Sequence, residues 1–191
     1  MRLALLAICC LAPISAQAST IIHAGRLIDG QRDDARVKVS IVIDEGKVQE
    51  VVDGFVSGKD GDTVIDLKAH TVMPGFMDMH THLMSQHSKK SYTEKFFMNK
   101  SEYALRSSVY AKRTLLAGFT TVRNLGDDGV NSVSLRKAID AGWIIGPRIF
   151  TAGKSLATTG GHADPTNGLR GDFVKDAGPI DGVVNGVDDA R

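Results

Sequence analysis

The chain has 191 residues, 42% of them hydrophobic and 24% charged, which excludes an intrinsically disordered protein, because such a composition can bury enough apolar surface to offset chain entropy. Its 23 basic and 22 acidic side chains leave a formal net charge of +1 with no long run of either sign. That balance excludes a phosphate backbone as the natural partner, so no nucleic acid is expected.

The first 18 residues place Arg2 ahead of an apolar stretch from Leu3 to Ile14, followed by Ala16-Gln17-Ala18. A positive start, a short apolar run and a small-residue end describe an export leader cut after Ala18. The run is too short for a membrane span and Pro13 interrupts it. Cleavage removes Cys9 and Cys10, the only cysteines, so the mature protein has no disulfide and no thiolate chemistry. The expected location is secreted or periplasmic, with no membrane span after leader cleavage.

Over 20–67, short β-branched runs (21–23, 37–43, 47–52 and 63–65) alternate with turn residues, which predicts a small β unit. Asp29-Gly30, Glu45-Gly46 and Asp53-Gly54 supply the positive-φ positions of tight turns. An extended segment at 71–82 then leads through a polar loop into an amphipathic helix over about 101–117, stopped by Gly118. The unit repeats as a strand at 120–125 and a helix at 130–141, ended by Gly142, and a third strand follows Pro147 at 148–152. Strands alternating with helices predict an α/β fold with a parallel sheet, either doubly wound or the start of a (β/α) barrel. A barrel takes about 250 residues, and the expectation is therefore a truncated product. The final Asp188-Asp189-Ala190-Arg191 has the look of a first helical turn.

The chemistry concentrates in Pro74-Gly75-Phe76-Met77-Asp78-Met79-His80-Thr81-His82. Two histidines two apart on a strand share a face, and both imidazoles can close on one ion at the roughly 2.0–2.1 Å that zinc accepts from nitrogen. With 6 histidines in the chain, a bare His-x-His pair arises easily by chance, and the surrounding pattern gives it its weight. By the same parity Asp78 and Phe76 lie on the histidine face, Asp78 as a carboxylate that steadies a ligand or as an ordinary strand-edge acid, and Phe76 as filling below the pair. In 158–168, the Gly160-Gly161 pair would let backbone approach a ligand, and His162 and Asp164 would address a polar substrate group. A solvated turn with an incidental histidine is the equally simple alternative. His23, His70 and His87 have no partner at ligand spacing and are expected at the surface or in turns.

The stretch from Pro74 to His82 resembles the first-strand signature of the amidohydrolase superfamily, including its imidazolonepropionase-like and prolidase-like members. Ala24 to Gly30, Asp44 to Val48 and Val64 to Leu67 resemble the β unit that precedes the barrel in those enzymes, and 158–168 is similar to a prolidase-like loop after the third strand. The resemblance implies an incomplete (β/α)8 TIM-like barrel preceded by a small β-sandwich-type unit. Its division is a leader at 1–18, a β unit at 19–70 and three β/α units at 71–191. It further implies a divalent metal, usually zinc, one or two ions, held in part by His80 and His82, and hydrolysis of an amide or dipeptide through a metal-activated water. The family's remaining ligands, a strand-four lysine or glutamate, histidines on strands five and six and a strand-eight aspartate, have no counterpart here. Lys154 follows the third strand and Lys175 lies in a Gly- and Asp-rich loop. The substrate is then a small molecule or dipeptide, and homo-oligomerisation stays open.

Two other readings compete: a truncated, non-catalytic metal-binding or vestigial protein, and an unrelated α/β protein with an accidental histidine pair. No Gly-x-Ser-x-Gly elbow and no phosphate loop are present.

Overall fold

The computed structural model describes residues 18–127 and 129–191. The leader expected at 1–18 falls, except for Ala18, outside the described residues. The chain divides into two compact units, the first ending at Pro74 and the second starting at Gly75. This lies a few residues past the expected boundary, because the last strand of the first unit continues to Val72.

The first unit is a four-stranded sheet of β1 (Thr20–Leu27), β2 (Arg36–Asp44), β3 (Lys47–Asp53) and β4 (Thr63–Val72), in the order β3-β2-β1-β4. Of the sandwich-type unit expected, the described residues supply this one layer. β1 runs antiparallel to β2 and parallel to β4. Glu45 (φ 48) and Gly46 (φ 72) join β2 to β3, with both central residues at positive φ, as a type I′ hairpin demands. Ala24, Leu27, Val39 and Ile41 form the core of this unit, with Ile22, Ile43, Val51 and Val72 packed around them. β4 runs far beyond the expected 63–65 because it bulges: Ala24 pairs with Leu67, but Arg26 pairs with Thr71. The bulge brings the Lys68 carbonyl against Gly25, where any Cβ would collide with it, so only glycine fits this approach.

His23, expected at the surface or in a turn, is buried at 7% exposure. Its strand is central, and side chains on a central strand are covered by what crosses the sheet. Its Nε2 lies 2.9 Å from the Val56 carbonyl, and its ring packs on Phe55 at 5.2 Å. The neighbouring Ser40 hydroxyl, fully buried, donates to the Gly54 carbonyl and accepts from the Val56 amide. These two polar side chains hold 54–56 across the sheet, a role that no motif in the sequence announces.

The second unit carries a three-stranded parallel sheet of β5 (Phe76–Thr81), β6 (Phe119–Asn124) and β7 (Arg148–Thr151), in that order. Its helices are α1 (Ser91–Phe97), α2 (Lys100–Leu116) and α3 (Asn131–Asp140). Its core joins Leu83, Met84, Ala111, Val122, Leu135 and Ile149, so the helices cover the Val122 and Ile149 face of the sheet. The other face is open among the described residues, with Phe150 half exposed.

Helix α1 occupies what the sequence suggested was a polar loop. Seven residues are too few for a 3.6-residue period to register. Tertiary contacts hold it: Glu94 pairs with Arg106 of α2 at 2.8 Å, and the Tyr92 hydroxyl donates to the Gly168 carbonyl. Helix α2 begins where Glu102 accepts the Asn99 amide at 2.7 Å, half of a capping box. The helical start expected at 188–191 is instead an isolated turn, in which Asp189 accepts the Asn185 amide at 2.9 Å.

Candidate metal centre

β5 is irregular at the place where the chemistry gathers. Asp78 pairs with Val122 and Thr81 pairs with Asn124, so three steps along β5 match two along β6, a β-bulge. Val122 and Asn124 are both fully buried on the helix side, which places Asp78 and Thr81 on that side too. Strict alternation does not survive a bulge, so parity alone does not put Asp78 on one face with both histidines. Asp78 lines a cavity of about 380 Å³ beside α2, with His82, Tyr110, Arg113 and Thr114. It still reaches the histidine segment, because its Oδ1 accepts the backbone N–H of His80 at 2.9 Å.

His80 and His82 lie with their ring centroids 5.4 Å apart and inclined at 64°. They line an open depression of about 910 Å³ together with Gly126, Asp127, Lys154 and His162, a size within the usual range of small-molecule sites. The 158–168 loop therefore does bring His162 to the same depression as the strand pair. It does not bring Asp164 to that wall. Asp164 is buried at 6% exposure, and its carboxylate accepts from the Gly160 amide, the Thr166 amide and the Thr166 hydroxyl. These bonds, the Thr166 hydroxyl first and then the Gly160 amide, hold the Asp164 carboxyl below its ordinary value of 3.8.

A folded-state value below the unfolded one means that the charged carboxylate stabilises the loop above the unfolded value and that this support is lost as pH falls through the folded one. Acidification below 3.8 is therefore expected to open the loop locally. Hydrogen exchange of the Gly160 and Thr166 amides should accelerate there beyond the intrinsic pH trend, and protection unchanged down to full protonation would refute the assignment.

His82 Nδ1 lies 3.2 Å from the Gly126 carbonyl oxygen. A carbonyl can only accept, so Nδ1 carries the proton and the Nε2 lone pair is left for another partner. This is the arrangement in which a histidine binds a metal ion, its second nitrogen tethered to a backbone oxygen. Among the described residues, no group of three or more His, Cys, Asp or Glu side chains comes together to hold an ion. The two imidazoles fit a divalent cation chemically but do not close a site, because catalytic zinc takes three protein ligands.

Sequence reasoning missed the residues that build the rim. Gly126 (φ 147) packs against Ser155, whose Oγ a Cβ would strike. Asp127 accepts the Gly129 amide at 2.6 Å and the Ser132 amide at 2.7 Å, tying down the start of α3; an acid just ahead of a predicted helix was the available signal. Lys154 donates to the Ile180 carbonyl.

The model of the Amidohydrolase family matches residues 71–189. The chain belongs to the amidohydrolase family. It is similar to a solved Xaa-Pro dipeptidase with methionine bound in its active site, at 46% identity and a TM-score of 0.82, over 88% of this chain and 41% of that one. It is also similar to a prolidase complexed with N-methylphosphonate-L-proline, at 32% identity and a TM-score of 0.74, over 90% and 41% of the two chains. Ochratoxinase from Aspergillus niger is 26% identical over 90% of this chain and 38% of the relative. The chain thus spans about two fifths of the length of the relatives it matches, and its fold is a partial TIM-barrel hydrolase domain.

Proposed function

We propose that the intact protein is a metal-dependent hydrolase of C–N bonds, acting on a dipeptide or related small amide, and that this chain supplies two metal ligands, His80 and His82. The supporting observation is the His82 ring, whose Nδ1 is engaged by Gly126 while its other nitrogen is free to ligate in a depression shared with His80 and His162. Members of this family generally work with divalent metals, and zinc suits two imidazoles. Bound there, the ion would supply a water acidic enough to attack near neutral pH and would polarise the scissile carbonyl. The chain's own contribution is to fix the two rings at the end of β5 and to shape one wall of the substrate depression. The prolidase likenesses favour a dipeptide over an imidazolone ring as substrate. Export with leader removal after Ala18 belongs to the same proposal.

A second reading is favoured by the lack of a third ligand among the described residues: alone, the 191-residue chain would bind metal weakly and would not catalyse. The test is made on protein recovered from the exported fraction, whose first residue should be Ser19. Hydrolysis of Xaa-Pro dipeptides is expected to disappear on dialysis against a chelator and to return with zinc or manganese. Full activity in metal-free protein would overturn the hydrolase proposal, and metal binding without hydrolysis would favour the second reading.

A further inference from the structure

Asn124 ends β6 fully buried, a costly place for an amide that makes no use of its hydrogen bonds. Its Oδ1 accepts the backbone N–H of Leu83 at 2.8 Å, and Leu83 directly follows His82. Its Nδ2 faces the Gly126 carbonyl at 3.4 Å, the same oxygen that receives His82 Nδ1 at 3.2 Å. One side chain thus grips the histidine segment from behind and the carbonyl that orients the ring from the front. Two further bonds brace the assembly: the Leu125 amide donates to the Thr81 carbonyl at 3.0 Å, and the Ser155 hydroxyl donates to the Leu125 carbonyl at 2.8 Å.

We infer that Asn124 is a positioning residue that sets the tautomer and aim of the His82 imidazole, and through it the affinity of the metal centre. The inference rests on the metal reading above for its second half only; the tautomer is a property of the metal-free protein. The amide is the side chain this place requires, because it accepts from Leu83 and donates toward Gly126 at once. A carboxylate of the same shape keeps the first bond and loses the second.

The experiment compares intact wild-type protein with Asn124→Asp. It follows the ring ¹⁵N shifts of His82 in metal-free protein and the zinc affinity by competition with a chromogenic chelator. Wild type should show a single Nδ1-protonated ring. The variant should show mixed tautomers and zinc bound about 10–100-fold more weakly, the usual cost of losing an outer hydrogen-bond partner of a ligand. A wild-type tautomer and affinity in Asn124→Asp would overturn the inference. A tautomer that depends on Asn124 in a wild-type protein that binds no zinc would support the positioning role and sink the metal reading. Should Asn124→Asp fail to fold, hydrogen exchange in the wild type decides: a Leu83 amide exchanging as fast as open loops would overturn the clamp, and strong protection would support it.

Discussion

Replacing His80 and His82 together by alanine is expected to strip the intact protein of its tightly bound metal and to lower hydrolysis by more than about a hundred-fold. Both side chains are exposed in the depression, and exposed substitutions shift stability by only about 0.5 kcal/mol. Folding should therefore survive, and the loss can be read as chemistry. Metal analysis and dipeptide turnover on the same preparation give the answer. Each single variant should already reduce bound metal, because two neighbouring rings, 5.4 Å apart, act as one chelating arm. Unchanged metal content in the double variant would show that the pair does not hold the metal and would overturn the ligand assignment.

The largest expected effect on stability lies at Leu135. It is 3% exposed on α3 and meets Ala111, Val122 and Ile149 in the core of the second unit. Leu135→Ala should cost about 2–5 kcal/mol through lost burial and the cavity left behind. Against a typical total of about 5–15 kcal/mol, that is a large share, visible as a lowered denaturation midpoint. Leu135→Met keeps the volume and should cost less than about 1.5 kcal/mol. Equal destabilisation by the two substitutions would show that α3 is not held through this core, and the packing account of the second unit would fail. Metal binding supplies a cross-check: the rim residue Asp127 accepts the Ser132 amide in the first turn of α3, so loosening the helix should weaken metal retention less than the histidine substitutions do.

Much of this was decided by local sequence. The β-branched runs and their Gly-containing turns placed β1, β2 and β3 within a few residues, because period-two burial and positive φ are properties of neighbouring residues. The glycine stops at Gly118 and Gly142 bounded α2 and α3 for the same reason, and the stretch from Pro74 to His82 marked where the chemistry would lie. The tertiary structure decided what depends on residues far apart in the chain. The β5 bulge, which breaks the alternation between Asp78 and the histidines, exists only through pairing with β6. The burial of His23 follows from the strap at 54–56 crossing its strand. His162 joins the histidine pair because 158–168 folds back to the same depression, while Asp164 is consumed by its own loop. Asn124 gains a role only because its amide meets Leu83 and Gly126 at once, and two hydrogen bonds made in three dimensions leave no period or spacing in one.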